Sequence, residues 1–179
     1  KNLNVELNIE GNPKEKTFVE LVLETKPSQV TLVPDEIGQL TSNHGWDTIS
    51  EKDFLSEMIQ LFSSYNIRTS IFIDPVEKYV EGAQKIGTDR IELYTENYAE
   101  LYFKNAANSI DTFITSSIIA NDLSLEINAG HDVNLENLSF FAAKIPKLKE
   151  VSIGHALIAY ALNYGMENTV KLYLRALRK

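Results

Sequence analysis

A strand pattern followed by a helix pattern recurs about six times along this chain, and this alternation limits its possible folds more than any other feature. Residues 3–9 alternate between apolar and polar, as a strand does, and apolar residues at helical spacing follow over 14–26. The same order repeats with predicted strands over 29–33, 67–73, 91–94, 123–128 and 150–153. No two-residue hairpin signal such as Asn-Gly joins neighbouring strands. The pattern therefore predicts an α/β protein whose parallel strands are connected by helices.

Two parallel architectures fit this order: an open doubly wound sheet, and a (β/α)8 TIM barrel of which about six units are present. The glycine fingerprint G-x-G-x-x-G and the P-loop, which mark many open nucleotide-binding sheets, are both absent. The barrel is therefore the better prediction. The chain starts at Lys1 without an initiator Met and is already strand-like by Leu3. We expect residues 1–179 to form a single barrel domain from which an N-terminal portion is missing.

Composition excludes several classes of function. The formal net charge of −8 argues against nucleic acid as a main partner, because binding to its phosphate backbone requires a basic face. Small phosphorylated ligands remain possible, since they need only a few backbone N–H groups at a helix start. The absence of cysteine excludes disulfides and thiolate metal sites. No apolar run reaches the roughly 18 residues of a membrane span and no signal peptide is recognisable, so we expect a cytoplasmic protein.

The carboxyl ends of the predicted strands are where ligands and catalytic groups cluster in parallel α/β folds. A Gly-His pair follows a strand twice, at Gly130-His131 and at Gly154-His155, and each pair precedes a helix. This repetition favours His131 as a proton donor or acceptor near neutral pH. Gly154-His155, at the last strand, suits a phosphate group, although a glycine needed for close helix packing is the alternative.

Two carboxylates at strand ends are further candidates. Glu92 lies within the apolar run of residues 91–93, so it is either an inward carboxylate near the rim of the barrel or an outward, solvated one. Glu10 ends the first strand and could serve as a general base, or it could be an ordinary loop carboxylate. Asp35 also ends a strand, Asp74 is better explained as a helix N-cap, and His44 as a surface loop residue.

Motifs that bind metals or activate nucleophiles are not recognisable in the sequence. No spacing resembles H-E-x-x-H, and no G-x-S-x-G elbow is present. No predicted strand carries a lysine at its end, which a Schiff-base aldolase on this fold would need.

A set of short motifs, in order and at matching spacing along essentially the whole chain, resembles the pyridoxine 5'-phosphate synthase family. The motifs are Leu32-Val33-Pro34-Asp35, Leu40-Thr41-Ser42, Gly45-Trp46-Asp47, Ser70-Ile71-Phe72-Ile73-Asp74, Asn128-Ala129-Gly130-His131 and Ile153-Gly154-His155-Ala156. The resemblance implies a (β/α)8 barrel that condenses 1-deoxy-D-xylulose 5-phosphate with 3-amino-2-oxopropyl phosphate, with no metal or organic cofactor. It also implies a homo-oligomer, and it makes the first strand here the third of the barrel.

The resemblance assigns a role to seven residues. Glu10 matches the general base, His131 the proton donor and Glu92 the glutamate that stabilises the transition state. Four residues match substrate contacts: Thr41 for the deoxyxylulose phosphate, and Asp132, Gly154 and His155 for the amino-ketone phosphate. The first two β/α units of the family, which carry another catalytic histidine and an arginine on a mobile loop, have no counterpart in residues 1–179. Two alternatives therefore stay open: another phosphosugar-binding TIM-barrel enzyme, and a truncated, non-catalytic fragment.

Overall fold

The computed structural model describes residues 4–36, 38, 39 and 41–178. Its strands are β1 (Asn8–Gly11), β2 (Gln29–Leu32), β3 (Arg68–Ile73), β4 (Arg90–Tyr94), β5 (Glu126–His131) and β6 (Leu148–Ile153). Its helices are α1 (Lys16–Thr25), α2 (Lys52–Ser64), α3 (Glu77–Ile86), α4 (Glu96–Tyr102), α5 (Ala106–Ser109), α6 (Asp111–Asp122), α7 (Leu138–Lys144), α8 (His155–Tyr164) and α9 (Met166–Ala176). None of these helices is long and apolar enough to cross a membrane.

The six strands form one parallel sheet in the order of the chain, β1-β2-β3-β4-β5-β6. The strand order does not reverse at any point, unlike that of a doubly wound sheet. The sheet is curled, as the contacts of Arg90 show: from β4, in the middle of the sheet, its side chain reaches residues of both β2 and β6. The Arg90 guanidinium donates to Gln29 of β2 and to Glu150 of β6, each at 3.0 Å. The predicted α/β fold is confirmed: the six parallel strands form a curled sheet with the shape of a partial barrel.

The two faces of this sheet differ in polarity because successive strand residues point to opposite sides. The outer face is apolar and fully buried beneath the helices; it includes Val30, Ile71, Ile91 and Ile127. The concave face is polar and equally buried, with Thr31, Ser70, Arg90, Glu92 and Asn128. The prediction that Glu92 faces away from its apolar neighbours holds, and its side chain lies on the inward rather than the solvated side.

Several predicted boundaries differ from the structure. Strand β1 begins at Asn8 rather than at residue 3, and residues 1–3 lie outside the described residues. Strand β5 continues to His131, so this histidine belongs to the strand itself and not to the loop after it. Helix α4 was not predicted, because its apolar residues merge into a segment rich in Tyr and Asn.

The prediction that Asp74 caps a helix is wrong. Helix α3 begins at Glu77, and Val76 occupies the N-cap position without a side-chain cap. The carboxylate of Asp74 instead accepts a hydrogen bond from the backbone N–H of Gly45 at 3.0 Å. Asp74 therefore fastens the loop after β2 to the end of β3.

Candidate active site

A cavity of about 280 Å³ opens at the carboxyl ends of the strands, on the concave side of the sheet. It brings together five of the seven residues predicted for the site; of the other two, Glu92 is buried and Asp132 lies beside His131. Its lining consists of Glu10, Asp35, Thr41, Ser42, His131, Gly154, His155 and Ile158. Glu10 and Ile158, which are 148 positions apart in the sequence, thus line the same cavity at one edge of the sheet, as the strand-end argument predicts.

Glu10 lines this cavity from β1, at one edge of the sheet. The protein atoms around its carboxyl desolvate the charged form and raise its pKa above the ordinary value. The nearby charge of Asp35 raises the pKa further, whereas His131 acts in the opposite direction. A carboxylate with a raised pKa is a stronger base than an ordinary one, which suits proton abstraction.

Glu92 lies beneath the cavity, with only 1% of its surface exposed. Neither of its oxygens has a hydrogen-bond partner within the described ranges. Burial first, and then the negative charge of Glu10, raise its pKa well above the ordinary value. The hydroxyl of Ser152 acts in the opposite direction without meeting hydrogen-bond geometry. A carboxyl whose ionisation is disfavoured in this way keeps its proton to higher pH and can donate a hydrogen bond to substrate.

His131 ends β5 and is held by its neighbours on several sides. Its imidazole stacks on the Phe72 ring, with centroids 5.8 Å apart, and meets the edge of Tyr94 at 6.2 Å. Its Nδ1 lies 3.4 Å from the Asp132 carboxylate. The Asp132 carboxylate beside Nδ1 raises the pKa of His131, and the charges of Glu10 and Asp35 add to its effect, against that of burial. The ring is therefore favoured in its protonated form, which a proton donor needs.

Thr41 and Ser42 reach the cavity on the loop after β2, and several contacts fasten this loop. The Ser42 hydroxyl donates to the Asp35 carboxylate at 2.6 Å, and the Tyr94 hydroxyl donates to the Ser42 carbonyl at 3.2 Å. Further along, Gly45 packs so closely on β3 that a Cβ there would lie 2.3 Å from the Ile73 Cα. The glycine is required at this position because the backbone of the loop touches that of the strand.

Gly154 and His155 line the cavity at the point where β6 passes into α8. The Gly154 N–H donates to the His131 carbonyl at 2.9 Å, which ties the two Gly-His segments together. A Cβ on Gly154 would approach that same carbonyl oxygen to 3.1 Å. The backbone N–H groups that begin α8 have no partner within the helix and favour an anion.

Asp35 and Thr95 are the residues whose importance the sequence signals least. Asp35 ends β2 and was recognisable only as one strand-end carboxylate among several, yet its Oδ1 is buried without a partner in the described chain. Thr95 follows β4 and is completely buried against Asp132. No group of three or more His, Asp or Glu in the described ranges is arranged to hold a metal ion.

A histidine and two carboxyls with raised pKa values lie at the carboxyl edge of a curled parallel sheet, the edge at which enzymes of the barrel-like α/β class carry their catalytic groups. Comparison of the sequence with known families narrows this class to one family. The family described as "Pyridoxal phosphate biosynthesis protein PdxJ" matches residues 1–179, and the chain belongs to this family.

Relatives with the printed name "Pyridoxine 5'-phosphate synthase" are similar over almost the whole chain. The protein from Flavobacterium johnsoniae is 55% identical over 176 residues, and that from Cytophaga hutchinsonii 54% over 177 residues. The protein from Christiangramia forsetii is 51% identical over 176 residues. These alignments cover 98–99% of this chain and 74% of each relative.

Proposed function

We propose that Glu10, His131 and Glu92 carry the acid–base steps of pyridoxine 5'-phosphate synthesis, the ring-closing reaction of the family to which this enzyme belongs. The reaction joins 1-deoxy-D-xylulose 5-phosphate to 3-amino-2-oxopropyl phosphate and yields pyridoxine 5'-phosphate, inorganic phosphate and water. The single observation that carries the proposal is the cavity that Glu10, His131, Gly154 and His155 line together.

Ring closure by successive condensation and dehydration needs protons to be removed from carbon or nitrogen and delivered to departing oxygens. Glu10 is the general base in this proposal, because desolvation raises the pKa of its carboxyl and so increases its basicity. His131 is the proton donor, because the Asp132 carboxylate 3.4 Å from Nδ1 raises its pKa and so favours the protonated imidazole. Glu92 stabilises the transition state through hydrogen bonds of a neutral carboxyl, since its pKa is raised and it lies buried with both oxygens unpartnered among the described residues.

Substrate binding is divided between two sides of the cavity. Thr41 contacts the deoxyxylulose phosphate from the loop after β2. Gly154 and His155 bind the phosphate of the amino ketone at the start of α8, where backbone N–H groups and the helix dipole favour an anion. Asp132 contacts the amino ketone beside His131, and its negative charge suits an ammonium group.

We further propose that the six β/α units are the third to eighth of a (β/α)8 barrel, and that residues 1–179 belong to a single domain. The strand order along the sheet and its curl support this proposal. Assembly as a homo-oligomer and a cytoplasmic location are expectations that the family resemblance supports, and small phosphorylated substrates are the partners.

The test is an assay of the purified protein with both substrates, in which pyridoxine 5'-phosphate is identified by mass spectrometry. We expect Glu10→Gln and His131→Asn to lower kcat by about 10²–10⁴-fold, as loss of a general base or acid does. Glu24→Gln on the exposed face of α1 and His44→Asn in an exposed loop are matched controls that keep full activity. Wild-type turnover in both site variants would contradict the assignment, and a different product would indicate another phosphosugar reaction.

A further inference from the structure

Thr95 connects two elements at the back of the site. It is completely buried, and it directly follows β4. Its hydroxyl accepts a hydrogen bond from the backbone N–H of Asp132 at 3.0 Å and lies 3.4 Å from the Asp132 Oδ2, to which it donates. Its own backbone N–H donates to the Gly130 carbonyl at 3.1 Å. Thr95 therefore forms hydrogen bonds with Gly130 and Asp132, the residues before and after His131.

The Asp132 carboxylate lies between the Thr95 hydroxyl and the His131 imidazole. One of its oxygens faces the Thr95 hydroxyl, and the other lies 3.4 Å from His131 Nδ1. A carboxylate in this position fixes Nδ1 as the protonated nitrogen and leaves Nε2 for the substrate. The three side chains thus form a chain of hydroxyl, carboxylate and imidazole.

The position of Thr95 in the sequence suggests a simpler role, which the geometry does not support. Thr95 occupies the N-cap position of α4, where threonine commonly accepts a hydrogen bond from the first turn of a helix. No side-chain cap is formed here. The hydroxyl is directed instead to Asp132, across from β4 to β5, so the residue contributes to the site and not to the helix.

We propose that Thr95 is a positioning residue for proton transfer: its hydroxyl orients the Asp132 carboxylate, which in turn holds the His131 imidazole in place. This inference rests on the proposed function of His131 as proton donor. It extends that function to a buried residue that has no place in the lining of the cavity.

The other groups around His131 are accounted for as follows. Glu10 approaches from β1 and Asp35 from the end of β2, and both charges favour the imidazolium. Phe72 on β3 is uncharged, and burial and the Glu96 carboxylate raise the pKa of Tyr94 on β4, so this phenol stays neutral. From the side of β6 and α8, Gly154 contacts the His131 carbonyl and His155 shares the cavity. Among the described residues, Asp132 is the carboxylate in ion-pair contact with the ring, 3.4 Å from Nδ1, and the Thr95 hydroxyl donates to its other oxygen.

The experiment is an NMR titration of the histidine ring protons in the ligand-free protein. The protein has three histidines, so His131 is assigned from the signal lost in His131→Asn, and His44 and His155 serve as internal references. Thr95→Val removes the hydroxyl and keeps the shape of the side chain, whereas Thr95→Ser keeps the hydroxyl. Thr112→Val, on the exposed face of α6, is the matched control.

We expect Thr95→Val to lower the pKa of His131 towards its ordinary value of 6.5 and to shift the alkaline limb of the kcat/KM profile to lower pH by the same amount. Thr95→Ser should restore both, and Asp132→Asn should reproduce the loss. If Thr95→Val does not fold, Thr95→Ala removes the hydroxyl without adding an apolar branch, and the same titration applies. An unchanged His131 titration in the folded hydroxyl-free variant overturns the proposal, as does a Thr95→Ser variant that behaves like Thr95→Val.

Failure of this inference is distinguishable from failure of the proposed function. The titration is made without substrate and reports only the state of the imidazole. Retained synthase activity in His131→Asn would remove His131 from the mechanism while the effect of Thr95 on its pKa could still be measured. A changed titration with an unaltered pH profile would show that Thr95 holds the ring but that proton transfer does not depend on it, which also overturns the positioning role.

Discussion

Gly130 leaves the space that the Glu92 carboxylate occupies: a Cβ built on Gly130 would lie 2.4 Å from Glu92 Oε1 and 2.8 Å from the Ser152 Cβ. The two residues lie on neighbouring strands, β4 and β5, on the buried concave face. The absence of a side chain at position 130 is therefore a condition for an inward glutamate at position 92.

Gly130→Ala should damage the site through this contact. The added methyl group overpacks a buried face, which costs about 1–3 kcal/mol of stability, and it forces the Glu92 carboxyl to move. We expect a lower free energy of unfolding together with a marked loss of kcat, measured by urea titration and by the synthase assay. Since glutamine has the same length as glutamate, Gly130→Ala should lower the free energy of unfolding by the same amount in the Glu92→Gln background as in the wild type. A stable and fully active Gly130→Ala would mean that Glu92 does not need its present position.

Glu92→Gln should stabilise the fold increasingly as the pH rises. The folded-state pKa of Glu92 is raised well above its ordinary value, so the unfolded chain loses this proton at a lower pH than the folded one. Between the two pKa values the folded protein binds one proton more, and its free energy of unfolding falls by about 1.4 kcal/mol per pH unit. The glutamine variant lacks this dependence. Urea unfolding from mildly acidic to mildly alkaline pH measures the difference. If the free energy of unfolding depends on pH in the same way in both proteins, the pKa of Glu92 is not raised in the fold.

The synthase reaction should have a bell-shaped dependence of kcat/KM on pH. Glu10 acts only when ionised and its pKa is raised, so activity should rise with pH through a value above the ordinary 4.5. His131 acts only when protonated and its pKa is also raised, so activity should fall with pH through a value above 6.5. An initial-rate profile under low substrate concentration measures both limbs. A profile that keeps rising above the pH at which His131 titrates by NMR would exclude it as the proton donor.

The sequence was sufficient to predict where the site would form but not how its members are coupled. The alternation of strand and helix patterns placed Glu10, His131 and Gly154 at one edge of a parallel sheet, because strand ends are fixed by topology alone. The contact between Thr95 and Asp132 depends on the register of β4 against β5, which no local pattern reveals. The role of Asp74 was misread for a similar reason, since its partner Gly45 is 29 residues away in a loop without regular structure.

The polar concave face was equally hard to anticipate. An isolated polar residue in an apolar run, such as Glu92 or Asn128, is compatible with a solvated face or a buried one, and only the curl of the sheet decides between them. Barrel interiors are more often filled with branched apolar residues. The departure from that rule places ionisable groups directly beneath the cavity.

Asp35→Asn should shift both limbs of the pH profile in the same direction. The charge of Asp35 raises the pKa of Glu10 and also that of His131, so its removal lowers both values. The whole bell should therefore move to lower pH, whereas a change in only one catalytic group would move one limb. Loss of the Ser42 contact should in addition raise KM, because Ser42 adjoins Thr41. Glu36→Gln, the exposed neighbour, is the matched control, and a profile that stays in place in Asp35→Asn would contradict the prediction.

Gly45→Ala should release the loop that carries Thr41 from the end of β3. The added Cβ would meet the Ile73 backbone at 2.3 Å, and a backbone cannot turn aside as a side chain can. The neighbouring Trp46 is 3% exposed and is the one tryptophan of the chain, so its fluorescence should shift to longer wavelength as it becomes solvated. We expect a rise in KM for 1-deoxy-D-xylulose 5-phosphate that exceeds the fall in kcat, because Glu10 and His131 lie on strands that the loop does not support.

Gly38→Ala, in the same loop, is the control. Its added Cβ meets no atom within 4 Å, and the only strain comes from the positive φ of this residue, so it should leave the Trp46 emission unchanged. Unshifted emission and unchanged KM in Gly45→Ala would mean that the close contact with β3 does not hold the loop in place.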